Sequence, residues 1–168
     1  MTLSAPVLVR PATREDVSAL GRMGAALVRF HHSLDPLRFF AVGDERGYGA
    51  FLAAELGRQG SVVLVAEARG EDGAAQVIGY TWGRLEERDW TLLLDACGVL
   101  HDIYVEPEAR RLGAGRALCE GMIQRLSELG APRVVLATAS KNEAGQKLFA
   151  SLGFRATMIE MTRERSSE

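Results

Sequence analysis

The sequence predicts a mixed α/β sandwich in which strands and helices follow one another in the order β-α-α-β-β-β-α-β-α-β. Three observations predict it. The N-terminal half carries an apolar stripe at helical spacing, the middle carries runs with the composition of strands, and the C-terminal half carries two helices with recognisable start signals. A chain of 168 residues is expected to fold as one domain with a sizeable core.

The first part of the chain is predicted to form a short strand and two helices. The strand lies near Val7–Arg10, and Thr13 is a favourable N-cap for the first helix. The apolar stripe of that helix consists of Val17, Leu20, Met23, Leu27 and Phe30. A loop over His31–Phe40 follows, and a second helix spans about Tyr48–Leu56.

Three strands are predicted next. Ser61–Ala68 and Gln76–Glu86 are joined by the turn-forming run Gly70-Glu71-Asp72-Gly73, and the third strand covers about Val99–Val105. Glu86, Glu87 and Asp89 end a strand, where they are expected either to attract a cationic amine or to form a solvated turn.

The C-terminal part is predicted to alternate helices and strands. A helix follows Gly113, with an apolar face formed by Leu118, Met122, Leu126 and Leu129. A strand over Arg133–Thr138 comes next, and Asn142 is a favourable N-cap for another helix. The last strand is predicted over Arg155–Arg163, with residues 163–168 frayed.

The turn between the third predicted strand and the next helix is the most informative part of the chain. The run Arg110-Arg111-Leu112-Gly113-Ala114-Gly115 places two arginines and two glycines at a helix start. Glycines let the backbone approach a ligand, while the N–H groups and dipole of the helix start attract an anion. Arg116 adds a further charge. The turn is therefore expected to bind a phosphate or pyrophosphate group.

Three phosphate-binding patterns compete for this turn. A P-loop requires Gly-x-x-x-x-Gly-Lys-Ser/Thr, but Gly115 is followed by Arg116-Ala117-Leu118. A dinucleotide-binding fold requires a third glycine and an acidic residue after the next strand, and this sequence has neither. The pattern Arg/Gln-x-x-Gly-x-Gly/Ala fits at every position. A glycine-rich helix start that binds no ligand is the remaining alternative.

A second motif starts at Asn142 and continues through Leu148-Phe149 to Gly153-Phe154. Together, the two segments resemble the GNAT superfamily of acyl-CoA-dependent N-acetyltransferases. The first resembles its pyrophosphate-binding motif, and the second resembles its Asn…Leu-Tyr-x-x-x-Gly-Phe motif. The resemblance implies a mixed, mostly antiparallel sheet flanked by helices, and a single acyl-CoA N-acyltransferase domain over residues 1–168.

The same resemblance implies acetyl-CoA as the acyl donor and indicates the residues that hold it. They are the strand before the turn, the turn itself, and two positions of the second motif: Ile103, Tyr104, Val105, Arg110, Arg111, Leu112, Gly113, Ala114, Gly115, Arg116, Asn142 and Phe149. Backbone N–H groups of the strand would also polarise the thioester carbonyl.

Acetyl transfer to an amine requires removal of a proton, because an ammonium group has no lone pair. Some small-amine acetyltransferases of the superfamily carry Leu-Glu-Asp-Leu-Tyr-Val on this strand, with the glutamate as the base. Here His101 stands in the glutamate position, and an imidazole changes charge near neutral pH, which suits a base. Asp102 is expected to orient a relay or attract the amine, and a base formed by Asp102 with water is the alternative.

The sequence departs from the family pattern at Phe149, where the family often has a tyrosine that protonates the leaving thiolate. Either the thiolate leaves unprotonated or another group serves, with Tyr104 and Tyr80 as weak candidates. The predicted function is transfer of an acetyl group to a primary amine of a small molecule or peptide. Phe149 favours the alternative, a non-catalytic acyl-CoA-binding or interaction domain of the same fold.

Composition and smaller features give the remaining expectations. A formal net charge of −2 gives no electrostatic case for nucleic acid or an anionic membrane, and no apolar run is long enough to span a bilayer. Cys97 and Cys119 show no pairing pattern, as is typical of a reducing cytoplasm. No metal site is predicted from the adjacent His31-His32, and Phe30–Phe40 is expected to border the acceptor pocket. The apolar run Leu92-Leu93-Leu94 and frequent dimers in the family favour a homodimer.

Overall fold

The strands form one mixed sheet in a computed structural model that describes residues 6–70 and 73–165. They are β1 (Leu8–Pro11), β2 (Ser61–Arg69), β3 (Ala75–Glu86), β4 (Cys97–Val105) and β5 (Val134–Leu136). The strand order is β1-β2-β3-β4-β5, with antiparallel neighbours from β1 to β4 and a parallel pair between β4 and β5. The predicted mixed, mostly antiparallel sheet is confirmed.

Four helices cover the two faces of the sheet. They are α1 (Val17–Leu34), α2 (Glu45–Glu55), α3 (Ala114–Glu128) and α4 (Glu143–Ser151). On one face, Leu20 and Met23 of α1 pack with Tyr80 of β3; on the other, Leu118 and Met122 of α3 pack with the opposite face of the strands. The predicted stripes of α1 and α3 are thus buried at their centres, although Leu129 lies beyond the end of α3 and is exposed.

The contact between β4 and β5 is short, and this opens the sheet. The two strands pair only from Gly98 opposite Val134 to Leu100 opposite Leu136. Beyond these residues they part, so one edge of residues 101–105 has no neighbouring strand in the described chain. Backbone groups on this edge remain available to an extended ligand lying between β4 and α4.

A β-bulge in β4 changes the direction of the following side chains. Gly83 pairs with Leu100 and Trp82 pairs with Asp102, so His101 is an extra residue opposite the β3 strand. Leu100 packs on the α3 face, whereas His101 stacks on Trp82 and Asp102 contacts Tyr48 on the α1–α2 face. The bulge therefore brings two consecutive side chains to the same side of the sheet.

Several predicted boundaries require correction. His31–Leu34 lie in α1 and not in a loop, because the helix continues until Asp35, which precedes Pro36 and is extended. The second helix begins at Glu45 and not at Tyr48, because Asp44 caps it by accepting a hydrogen bond from the Arg46 N–H at 3.0 Å. Leu92 and Leu93, in the connection between β3 and β4, are exposed.

The last predicted strand, Arg155–Arg163, is wrong. Residues 155–165 form no strand, and Met158, Ile159 and Met161 are exposed. A strand requires a hydrogen-bonding partner, and none of the described strands pairs with this segment. Part of the predicted frayed end, residues 166–168, lies outside the described residues, as do Glu71 and Asp72 of the predicted turn between β2 and β3.

Candidate active site

A cleft of about 710 Å³ opens where β4 and β5 part. Its walls are the C-terminal half of β4, the start of α3, the start of α4 and the C-terminal end of α1. One end contains the arginine- and glycine-rich turn, and the other end contains His101, Asp102 and a group of aromatic side chains. The cleft thus joins a predicted anion site to the two predicted catalytic residues.

The turn before α3 exposes a run of backbone donors. Arg111 and Gly113 both have left-handed backbone conformations, with φ of 68° and 84°. Among the described residues, none accepts a hydrogen bond from the backbone N–H groups of residues 111–116. A Cβ placed on Gly113 would meet no protein atom within 4 Å, so the space above this turn is open. Such a concave set of N–H groups at a helix start binds phosphate groups.

Three arginines surround this turn, and their side chains have different contacts. Arg110 donates to the Val105 carbonyl at 3.2 Å, and its guanidinium lies 5.9 Å from the Phe30 ring centre. Arg116 is held by Ser151, through a hydrogen bond of 2.8 Å. Arg111 has no hydrogen bond or ion pair with a described residue, so its charge remains available to a ligand.

Most of the residues predicted to hold acetyl-CoA line the cleft. The cleft is lined by ten of them: Ile103, Tyr104, Val105, Arg110, Arg111, Gly113, Gly115, Arg116, Asn142 and Phe149. Leu112 and Ala114 do not line it, because Leu112 is exposed and Ala114 is buried in the core beneath the turn. Asn142 caps α4, its Oδ1 accepting from the Gly145 N–H at 3.1 Å.

His101 is held in a defined orientation at the bulge. Its ring stacks on Trp82 with 4.3 Å between ring centres, and its Nε2 lies 3.0 Å from Oε1 of Glu86. A carboxylate can only accept, so the neutral imidazole carries its proton on Nε2 and leaves a lone pair on Nδ1. Burial acts to raise the pKa of Glu86, but hydrogen bonds from Arg84 and His101 outweigh this effect and hold the pKa below its ordinary value. Glu86 is therefore ionised near neutral pH.

Asp102 lies at the centre of a buried polar cluster. Its Oδ2 accepts hydrogen bonds from Tyr48 at 2.5 Å and from Tyr80 at 3.0 Å. No described residue donates to its Oδ1, and the residue lines the cleft. Burial raises the pKa of Asp102 above its ordinary value, and the two phenol hydrogen bonds oppose this effect.

Tyr48 reaches Asp102 from α2, across a gap of 54 positions in the chain. Its ring passes directly over Gly24 of α1, where a Cβ would lie only 2.0 Å from the Tyr48 Cδ1 atom. Because Gly24 has no side chain, Tyr48 can approach the strand here. Burial and the charge of Asp102 raise the pKa of Tyr48, so it remains a hydrogen-bond donor.

Other residues with reactive side chains do not contribute to the cleft. Burial raises the pKa of the Cys119 thiol to about 12 and also raises that of Cys97, so neither is a nucleophile near neutral pH.

Within residues 6–70 and 73–165, no group of three histidine, cysteine or acidic side chains is arranged to hold a metal ion. The helices in the same ranges include none that is long and apolar enough to cross a membrane.

A comparison with family profiles decides the family. Residues 28–154 match the Acetyltransferase (GNAT) family. The chain belongs to the GNAT family. The matched segment includes the end of α1, both sides of the cleft and the second motif at Asn142.

Individual proteins agree with this assignment. The GNAT chain is 27% identical over 146 residues to the uncharacterized N-acetyltransferase YhfO of Bacillus subtilis, covering 87% of this chain and 88% of YhfO. A tetramutant of the BH1408 protein from Bacillus halodurans has a TM-score of 0.76 at 19% identity, covering 94% and 99% of the two chains. The aminoglycoside N-acetyltransferase AAC(6')-Iy, in complex with CoA, has a TM-score of 0.70 at 19% identity, covering 99% of each chain. The two structural similarities establish the GNAT fold.

The sequence did not predict two features of this GNAT site. Tyr48 had no signal, because nothing in α2 indicates that it contacts β4. The pairing of Glu86 with His101 depends on the bulge, whereas the sequence indicates for Glu86 only attraction of an amine or a place in a solvated turn. His31 belongs to the segment Phe30–Phe40 that was expected to border the acceptor pocket, and it lines the cleft, but it does so from the last turns of α1 and not from a loop.

Proposed function

We propose that this GNAT protein transfers the acetyl group of acetyl-CoA to a primary amine of a small molecule or peptide. The observation that carries the proposal is the His101–Glu86 pair, which leaves an imidazole lone pair beside the open edge of β4. Removal of an amine proton requires a positioned base, and a neutral histidine oriented in this way can supply it.

The residues before and within the α3 turn would hold the donor. The unpaired N–H groups of residues 111–116 and the charge of Arg111 fit a pyrophosphate group, and the space above Gly113 is open to it. The open edge of residues 103–105 fits the amides of the extended pantetheine arm. A backbone N–H on that edge would polarise the thioester carbonyl.

His101 is the base in this proposal. Its Nδ1 takes a proton from the bound ammonium, directly or through water, and Glu86 stabilises the resulting imidazolium. The nitrogen lone pair then forms the new C–N bond at the thioester carbonyl carbon, and the C–S bond breaks. The electron pair leaves with the sulfur as a thiolate, and the second amine proton passes to that thiolate or to solvent.

Departure of an unprotonated thiolate fits the presence of Phe149 in place of the family's tyrosine, because neither of the two candidate tyrosines is a free acid. The Tyr80 hydroxyl is buried and donates to Asp102, and the nearest acceptor of the Tyr104 hydroxyl is Glu106 at 3.4 Å. Burial raises the pKa of Tyr80 well above its ordinary value, which makes it a poor acid. A thiol has an ordinary pKa of about 8.5, so a thiolate is an acceptable leaving group near neutral pH.

The test is a screen of primary amines with acetyl-CoA, in which free thiol is measured and the acetylated amine is identified by mass spectrometry. The proposal predicts release of thiol that depends on the amine and matches the amount of product. A protein that binds acetyl-CoA in calorimetry but releases no thiol with any amine is the non-catalytic acyl-CoA-binding domain, the alternative that Phe149 favours.

A further inference from the structure

We propose that the acceptor of this enzyme is a primary monoamine carried on an apolar, aromatic body, whose ammonium group pairs with Asp102. This inference rests on the proposed function and specifies the class of its acceptor. The acceptor end of the cleft is the part lined by His31, Phe39, Phe40, Tyr48 and Asp102. Three properties of this end carry the inference: its single acidic side chain, its aromatic walls and its position beside His101.

Asp102 is the only acidic side chain among the described residues that line the cleft. Two acidic residues outside this lining are paired with cations: Asp35 lies 3.6 Å from Lys141, and Glu160 pairs with Arg38. Glu86 pairs with both Arg84 and His101. A polyamine or an aminoglycoside carries several ammonium groups and would need a carboxylate for each of them, whereas this end offers one.

The walls of the acceptor end are aromatic. The His31 ring lies between Phe30 and Phe39, with ring centres 5.6 and 5.0 Å away, and the three rings are tilted toward one another. Phe40 lines the cleft and is 72% exposed, so it has apolar surface that a ligand could cover. Flat apolar surfaces with exposed ring edges favour an aromatic body over a polyhydroxylated one, since hydroxyl groups would lose water without gaining partners here.

Asp102 can hold one ammonium group at the correct place. Two phenols donate to its Oδ2, no described residue donates to its Oδ1, and the residue lines the cleft. His101 is the next residue in the chain, and the bulge directs both side chains to the same side of the sheet. An ammonium group paired with Oδ1 therefore lies beside the base that removes its proton.

The experiment compares kcat/KM for 2-phenylethylamine, spermidine and kanamycin, using thiol release and the mass of each product. We expect the phenylethylamine value to exceed both others by about tenfold or more. Phe39→Ala should raise the KM for phenylethylamine by about tenfold and change the KM for ethylamine little, because only the larger amine reaches the aromatic wall. Leu37→Ala is the matched control, since Leu37 lies in the same connection, is 79% exposed and does not line the cleft.

The outcomes distinguish failure of the proposed acceptor class from failure of the proposed acetyltransferase activity. Turnover that is fastest with spermidine or kanamycin overturns the aromatic monoamine and leaves the acetyltransferase standing. An equal effect of Phe39→Ala and Leu37→Ala in proteins with native circular dichroism also overturns it. Absence of turnover with all four amines, in a protein that binds acetyl-CoA, overturns this acceptor, and absence of thiol release across the whole screen of primary amines overturns the proposed function as well.

Discussion

The Nε2 atom of His101 lies 3.0 Å from the Oε1 atom of Glu86, on the neighbouring strand β3. The same Oε1 accepts a hydrogen bond from Arg84 at 2.6 Å, which fixes the carboxylate. Together with the stacking on Trp82, this arrangement leaves the histidine ring little rotational freedom. A general base works best when its lone pair is already directed at the proton, and Glu86 and Trp82 would provide this direction for the base proposed at His101.

Replacing Glu86 tests this arrangement. Glu86→Gln is expected to lower kcat by about tenfold or more, because an amide neither stabilises the imidazolium nor holds the same ring proton as firmly. Acetyl-CoA affinity should not change, since Glu86 does not line the donor end of the cleft. Glu87→Gln is the matched control, because Glu87 is exposed and has no described partner. Equal kcat values for the two variants would remove Glu86 from the mechanism.

The donor site can be tested with a pair of glycines. Gly113→Val places side-chain atoms where the pyrophosphate would lie, so acetyl-CoA affinity measured by calorimetry should fall by at least about 100-fold. Gly130→Val is the control, because Gly130 also has a positive φ, 96°, and open space at its Cβ, but lies beyond the other end of α3. Both substitutions strain the backbone by roughly 1–2 kcal/mol. If the two variants bind acetyl-CoA equally well, the assignment of the turn is wrong.

Asp102→Asn should separate activity from stability. Because burial raises the pKa of Asp102 in the folded protein, the stability associated with its neutral form is present below the unfolded pKa near 3.8 and is lost as pH rises through the folded value. Asparagine carries no charge, so Tm at pH 7 should rise by a few degrees, and this gain should shrink toward pH 4. The kcat/KM with a confirmed amine should fall. A lower Tm at pH 7 contradicts the assigned cost of burial.

The exposed apolar side chains between β3 and β4 support a proposed homodimer. Leu92 and Leu93 are 59% and 89% exposed. If a second copy covers them, Leu93→Lys should shift the protein toward the monomer in light scattering, whereas Leu37→Lys should not. Detection of only an 18.2 kDa species for the unmodified protein at micromolar concentrations argues against the dimer.

Much of the fold follows from local signals in the sequence. Gly113 and the stripe through Leu118 and Met122 predict α3, and Asn142 predicts the start of α4, because capping and apolar periodicity act over a few residues. Asp44 carried the same kind of signal for α2. The strand predicted over Arg155–Arg163 does not form, since a strand-like composition is only a preference until a partner strand is available.

The site depended more on contacts between distant segments. Strict alternation along β4 would direct His101 and Asp102 to opposite faces, and only the bulge places them together. The contact from Tyr48 to Asp102 joins residues far apart in the chain, through the space left by Gly24. Neither feature has a local pattern, so the sequence identified the residues of the strand without their arrangement.

The role of His101 as the base can be tested with His101→Ala, by measuring turnover of one confirmed amine together with acetyl-CoA affinity. If His101 removes the amine proton, kcat falls by roughly 10²–10⁴-fold, the usual contribution of a positioned base, while acetyl-CoA binding is unchanged. His101→Glu should retain more activity than His101→Ala, because a carboxylate can also accept the proton. An alanine variant whose kcat stays within a few-fold of the unmodified enzyme would contradict the account and favour Asp102 with water as the base.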